Sequence, residues 1–256
     1  MNKYYYNLLF VTLLFTSVTY SQQLKGGTTN LGLDLTKIAL VNQSDSYVTF
    51  PTDIGNIEPL MFEANISPSF IIRERKDARL IGVLTSKIII RMYNEYSYPV
   101  RTPSYMPQIS FYYLTSDKKS ANQTTIFGRI AHHSNGQNGD FYNEDKTVNL
   151  LTGNFATNYF ELGFIKTTFS KVHNAIKFFK SSLEVHPKSW MLDELHGKYN
   201  GFRWHNTFEA FKLPLIGLNT DKKPHVSLKL ETTWMLDAVN NWDTFNLNRL
   251  NAKLTF

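Results

Sequence analysis

The feature that most constrains this fold is a two-residue alternation of apolar and polar side chains, which recurs from about residue 58 to the C-terminus. Clear examples lie at 124–134, 158–164 and 224–236. Successive side chains of a strand point to opposite faces, so this pattern predicts strands with one apolar and one polar face. After residue 21 the sequence has no run of 18 apolar residues, the length that a helical membrane span needs. We therefore predict an all-β fold.

The N-terminus is typical of a secretory signal peptide over residues 1–21. Lys3 supplies a positive charge, and residues 8–18 form a mainly apolar core. Thr19 and Ser21 are small residues that suit a cleavage site. An N-terminal membrane anchor is the alternative interpretation. We expect an exported protein whose first segment is removed.

The remaining pattern predicts a transmembrane antiparallel β-barrel of about 10–12 strands. We divide the chain into an N-terminal segment with a first strand, over 22–57, and a barrel domain over 58–256; the first strand is predicted near Lys37 to Val41. Charged residues such as Arg129 lie opposite the apolar face, as a polar interior requires. A soluble β-sandwich is the alternative, but short turns alternate with long polar loops here, as in outer membrane barrels. The predicted long loops are 94–107, 135–155 and 187–201.

Composition excludes several kinds of site. The 256 residues contain no cysteine, which excludes disulfides, thiolate metal sites and cysteine catalysis. The formal charge of +6 is spread along the chain without a long basic run. A nucleic-acid-binding protein would show clustered Lys and Arg, so we predict no nucleic-acid partner.

A candidate nucleophile and base lie in the strand predicted over 124–134. His132 and Ser134 are two residues apart, so their side chains share one face, about 7 Å apart along the strand. Asn158 opens the next apolar run. If the two runs pair with His132 opposite Asn158, a serine, a histidine and an orienting amide share one face. That combination is a nucleophile, a base and a group that orients the base.

Two separate motifs resemble the outer membrane phospholipase A family of Gram-negative bacteria (phospholipase A1). The first is His132-x-Ser134-Asn135-Gly136, with Asn158 at the start of the following strand. The second lies upstream, at 97–101 (Ser-Tyr-Pro-Val-Arg) and 105–108 (Tyr-Met-Pro-Gln). The resemblance covers roughly residues 58–256. It implies a hydrolase that degrades the phospholipid of the outer membrane.

The resemblance also implies a mechanism. Ser134 would attack an acyl ester of a glycerophospholipid, with His132 as general base and acid and Asn158 holding the imidazole. The backbone N–H of Gly136 and, in this family, a water bound to calcium would meet the oxyanion. The resemblance implies that such a site lies on the lipid-facing side of the barrel and that the active form is a homodimer.

Calcium is the cofactor that the resemblance implies, held between two protomers. The positions correspond to the backbone carbonyl of Gln137, the carbonyl of Ser97 from the partner, and Asn154, where the family has a serine. The loop from Ser134 to Asn158 is about twice the family's span, so Asn149 and Asn154 are rivals of Asn158. Two alternatives to the phospholipase are a lipid A ester deacylase, which also uses His-x-Ser, and a non-catalytic barrel such as a pore.

Overall fold

The computed structural model describes residues 34–50, 59–72, 78–118, 120, 122–170, 173–213, 226–237 and 246–256. Within these residues the chain forms one antiparallel sheet of eleven strands and one short α-helix, so the predicted all-β fold and strand number are confirmed. The strands are β1 Tyr47–Thr49, β2 Leu60–Ile66, β3 Ser69–Ile71, β4 Leu80–Tyr93, β5 Ser104–Leu114, β6 Asn122–Ser134, β7 Ala156–Ser170, β8 Ala175–Val185, β9 Phe202–Lys212, β10 Val226–Met235 and β11 Leu250–Thr255.

Each strand pairs with its neighbours in sequence, except that β2 pairs with β4 and the short β3 also pairs with β4. The sheet curls until its first and last strands approach. Lys253 of β11 places its ammonium 4.3 Å from the ring centre of Tyr47 in β1. Lys229 of β10 donates to Asp45 at 2.7 Å. In the described part of the chain no backbone pairing joins β1 to β11, so closure into a barrel stays a prediction.

The segment Leu35–Val41, predicted in part as a strand, is an α-helix (α1), and that prediction is wrong. Asp34 caps it by accepting from the N–H of Lys37 at 2.9 Å. Its apolar residues, Leu35, Ile38 and Ala39, have the i, i+3, i+4 spacing of a helix face and are buried. The first strand of the N-terminal segment comes later, at Tyr47–Thr49.

Helix α1 packs against the concave face of the sheet, at the end with the short turns. Gln43, just after the helix, donates to the hydroxyl of Tyr112 at 2.7 Å and accepts from Thr85 at 3.0 Å. The buried side chains around the helix come from five strands, so α1 fills the interior at this end. They are Ile81, Val83, Tyr112, Leu114, Phe127, Ile165 and Phe178.

The two faces of the sheet have inverted polarity beyond this end. The concave face buries polar and charged side chains, which hydrogen-bond to one another, as at Arg129 and Glu161. The convex face leaves large apolar side chains in the open, with Ile130 at 56% and Leu162 at 60% exposure. Others on this face are Phe111, Ile126, Phe164, Leu183, Phe208, Leu228 and Leu230. An exposed apolar surface of this extent marks a contact with lipid or with another protein.

The remaining segment predictions fall into two groups. The strands predicted around residues 60–66, 124–134 and 202–212 are present with closely similar bounds. The predicted signal peptide lies outside the described residues. None of the described helices is long and apolar enough to cross a membrane.

Candidate active site

The candidate site lies on the convex face, where β6 and β7 enter the long loop 135–155. The two strands pair along 13 positions, and His132 stands directly opposite Asn158. In this register the serine, the histidine and the amide share one face of the sheet. Nδ1 of His132 and Oδ1 of Asn158 are 2.8 Å apart. An amide oxygen can only accept, so Nδ1 carries the proton and Nε2 is left as the basic nitrogen.

The other end of the Asn158 amide is also bonded. Its Nδ2 donates to the backbone carbonyl of Trp190 at 3.1 Å. Trp190 ends a 3-10 helix, Lys188–Trp190, in the loop between β8 and β9. No sequence pattern predicts this contact, because every residue has a backbone carbonyl.

Ser134 lies at the last position of β6, opposite Ala156 in β7 and Tyr105 in β5. It shares the convex face with His132 and is half-buried. Within the described part of the chain, its hydroxyl makes no hydrogen bond to the His132 ring. Nucleophile and base are often apart in unliganded sites and meet when substrate binds.

Gly136 follows the candidate nucleophile by two residues, in a backbone conformation that favours glycine, with φ of 69°. A Cβ at this position would lie 3.2 Å from the Tyr105 ring. Its N–H donates no hydrogen bond to any described residue, so it is available to an anion formed beside Ser134.

The base of the loop 135–155 is held by the side chain of Asn135. Its Nδ2 donates to the carbonyl of Gly153 at 2.7 Å, and its Oδ1 accepts from the N–H groups of Gln137 and Phe155. Farther out, hydrogen bonds from Thr147 lower the pKa of Asp145. The loop is therefore internally bonded, although its sequence is mainly polar.

Asn149 and Asn154 do not take the place of Asn158. The Asn149 side chain is bonded within the loop, to the carbonyl of Asp140 at 3.1 Å and to Thr152 at 3.0 Å. The backbone N–H of Asn154 donates to Gly139 at 2.8 Å, and its side chain bonds no described residue. Of the three amides, Asn158 is the one bonded to His132.

The predicted calcium ligands lie in two loops at this end of the sheet. Ser97 is in the turn after β4 with φ of 67°, while Gln137 and Asn154 lie on the two arms of loop 135–155. Among the described residues, nothing donates to the carbonyls of Ser97 and Gln137 or to the side-chain oxygen of Asn154. Three unengaged oxygens suit calcium, but none is a carboxylate. The described residues contain no cluster of three or more His, Cys, Asp or Glu that could hold a metal.

The concave face behind the site carries a second set of bonded residues that sequence reasoning did not single out. Glu184 contacts Nε2 of His186 at 2.8 Å, Arg203 at 2.9 Å and His205 at 3.2 Å. Nδ1 of His186 lies 3.0 Å from the hydroxyl of Thr157, the residue before Asn158. Alternation over 176–186 places Glu184 and His186 on one face, and that signal could have found the pair.

Arg129 and His133 are two other inward residues. Arg129 donates to Glu161 at 2.7 Å and to Ser110 at 3.0 Å, as expected of an interior network. His133 points away from His132 and packs against Phe155, with ring centres 4.8 Å apart. It is therefore separate from the candidate site.

Comparison with protein family models, with curated proteins and with solved structures gave no match.

Proposed function

We propose that this chain is an outer membrane β-barrel hydrolase that cleaves acyl ester bonds of glycerophospholipids with Ser134, His132 and Asn158. The observation that carries the proposal is the 2.8 Å contact between Nδ1 of His132 and Oδ1 of Asn158, beside a serine on the same face. It leaves Nε2 of His132 as the base and directs it away from the amide. A histidine oriented in this way can activate a serine hydroxyl.

In the proposed mechanism, Oγ of Ser134 attacks the ester carbonyl carbon while Nε2 of His132 takes the hydroxyl proton. The imidazolium then gives that proton to the leaving lysolipid oxygen, and an acyl-enzyme is formed. His132 next takes a proton from a water molecule, whose oxygen attacks the acyl carbon. The bond from that carbon to Ser134 Oγ breaks, the fatty acid leaves, and the imidazolium returns its proton to Oγ. Asn158 keeps the imidazole in one tautomer through both steps but, being neutral, gives the imidazolium no charge stabilisation.

Charge develops on the carbonyl oxygen during both attacks. The N–H of Gly136, which bonds no described residue, is the donor that this chain offers to it. Calcium, held by Gln137, Asn154 and the partner's Ser97, would add positive charge near the oxyanion. A ligand set without a carboxylate predicts weak calcium binding.

The inverted polarity of the sheet supports a membrane location. The site lies on the same convex face as the exposed Ile130 and Leu162. A polar triad on an apolar surface is costly unless it has a role. A lipid substrate reaches such a face directly, without leaving the membrane.

The alternative of a pore is disfavoured by α1. Leu35, Ile38 and Ala39 pack with side chains of five strands and fill the interior at one end. The alternative of a lipid A deacylase differs only in the lipid that is cleaved. The two enzymes are therefore separated by substrate.

The proposal is tested by fatty acid release from phosphatidylethanolamine vesicles and from lipopolysaccharide, with the purified chain in detergent. We expect release from the phospholipid, and its loss in Ser134→Ala. Ser120→Ala, in the turn at the far end of β6, is the matched control and should keep the activity. The mobility shift between unheated and heated samples in gel electrophoresis checks that each variant is folded.

Each outcome has one meaning. Fatty acid release from lipopolysaccharide but not from phospholipid would favour the lipid A deacylase over the phospholipase. Equal release by wild type and Ser134→Ala would overturn the proposed triad. Chelation of calcium should lower both activity and dimerisation; activity that survives chelation would overturn the calcium ligands and leave the triad standing.

A further inference from the structure

The amide of Asn158 has two unlike ends, and its usefulness depends on which end faces His132. With the oxygen toward Nδ1, the imidazole is held with its proton on Nδ1 and a basic Nε2. With the nitrogen toward Nδ1, the proton would move to Nε2, which could then no longer accept one from Ser134. The dyad needs a group that selects one orientation.

The backbone carbonyl of Trp190 can make this selection. It lies 3.1 Å from Nδ2 of Asn158, and a carbonyl oxygen only accepts. A flipped amide would set two oxygens against each other and leave Trp190 without its donor. The Trp190 carbonyl therefore makes one orientation of the Asn158 amide more stable than the other.

Trp190 is itself held against β7 by the backbone. Where β8 ends, the chain continues the sheet, and Met191 forms an antiparallel bridge with Thr157. The N–H of Leu192 donates to the carbonyl of Ala156 at 3.2 Å. The Trp190 ring also packs edge-on against Phe160, with centres 6.4 Å apart.

The loop is anchored from the concave side as well. His186, where the loop begins, has a fully buried side chain bonded to Glu184 and to the buried Thr157. Its N–H donates to the carbonyl of Gly201 at 2.8 Å, which joins the two ends of the loop. Thr157, next to Asn158, is thus held by His186 on the concave side, and Asn158 itself is held by the Trp190 carbonyl of the loop.

We infer that the segment 187–192 is a positioning element of the site, in which the Trp190 carbonyl selects the orientation of the Asn158 amide and thereby the tautomer of His132. The inference rests on the proposed function for its catalytic consequence. The tautomer itself can be measured without any catalysis.

One substitution can remove a hydrogen bond between the segment 187–192 and β7 without straining the backbone. Leu192 has φ of −61°, the value that proline requires, and Met191 before it is extended, with φ of −127° and ψ of 161°. Leu192→Pro fits this backbone but removes the N–H that bonds Ala156. Leu192→Ala keeps the N–H and is the matched control.

The first measurement is the tautomer of His132 by ¹⁵N NMR of labelled protein in detergent micelles. Since the chain has seven histidines, His132→Gln assigns the signal. We expect the Nδ1–H form in wild type and Leu192→Ala, and a mixture in Leu192→Pro. The second measurement is phospholipid hydrolysis, where Leu192→Pro should lower kcat about tenfold and leave KM nearly unchanged, because an orienting contact is lost.

Asn158→Asp is a second variant, which leaves the sequence of the loop unchanged and alters only the group that the Trp190 carbonyl meets. A carboxylate offers His132 an acceptor but can only repel the Trp190 carbonyl. We expect kcat to fall about tenfold, through loss of a fixed geometry. If the contact with Trp190 had no role, the carboxylate would orient His132 as the amide does. The variant would then keep or raise kcat, because a carboxylate also stabilises the imidazolium.

Two results would overturn the inference: the same His132 tautomer in Leu192→Pro and Leu192→Ala, or an Asn158→Asp enzyme as active as wild type. Both leave the proposed hydrolysis intact. If wild type and Ser134→Ala release no fatty acid, the proposed function fails, and the NMR comparison still decides whether the loop sets the tautomer.

Discussion

Two directly opposed pairs in β6 and β7 differ in how fully they are bonded. Arg129 and Glu161 point inward, with side chains exposed by 11% and 3%. Glu161 is also bonded to Ser182 at 2.6 Å and lies 3.3 Å from Lys180. His132 and Asn158, three positions along, point outward and are half-buried.

The outward pair leaves reactive atoms without a partner. Asn158 is bonded at both ends, whereas Nε2 of His132 and the hydroxyl of Ser134 bond no described residue. The inward pair has partners at both of its charged groups, because Arg129 and Glu161 each contact the opposite charge and a serine hydroxyl. The same two strands thus carry a closed structural network on one face and an open reactive group on the other.

The largest expected effect is a loss of activity on substitution of the outward residue His132. His132→Ala should lower phospholipid hydrolysis about 10,000-fold, since it removes the proposed base. Its stability should stay within about 0.5 kcal/mol of wild type, because the side chain is outward and half-exposed. Fatty acid release and the urea midpoint measure the two quantities.

His133→Ala is the matched control for that variant, since the residue is adjacent but points inward. It should keep the activity and lose some stability through the lost contact with Phe155. Equal loss of activity in both variants would mean that the two faces are not functionally distinct.

The second expected effect is a loss of stability, without loss of activity, on substitution of the inward residue Glu161. Glu161→Gln leaves Arg129 and Lys180 as buried charges without their carboxylate, which costs about 3–5 kcal/mol of stability. Activity per folded molecule should not change. The free energy of unfolding is measured by denaturant titration in detergent or lipid.

Glu95→Gln is its control, because the Glu95–Arg101 pair is exposed by 46% and 36%. Loss of a surface pair costs about 0–1 kcal/mol. If Glu161→Gln were as stable as this control, the inward network would not be a structural element.

The smallest effect concerns Gly136 and Gly197, the two glycines with positive φ among the described residues. Gly136→Ala and Gly197→Ala should each cost about 1–2 kcal/mol through backbone strain, with φ values of 69° and 74°. Only Gly136→Ala adds a contact, to the Tyr105 ring, and lies beside Ser134. Its activity should fall about tenfold, while that of Gly197→Ala stays unchanged. An equal fall in both would remove Gly136 from the site.

Much of the sheet could be predicted because strand alternation is a local property. Side chains two apart share a face whatever the rest of the chain does, so His132 and Ser134 could be assigned together, and Arg129 opposite them. The strand predicted near Lys37 to Val41 is wrong because so short a segment shows no clear alternation, whereas the capping residue Asp34 and the spacing of Leu35 and Ile38 favour a helix.

The tertiary structure alone decided how distant segments meet. Asn158 pairs with His132 across a loop of 21 residues, whose length carries no information about register. The contact of Trp190 with Asn158 is made by a backbone carbonyl, which every residue has. The sequence by itself determined which side chains share a face, since that depends on neighbours in the chain. Which amide meets the histidine, and what holds that amide, depends on strand pairing and loop packing, which no local pattern records.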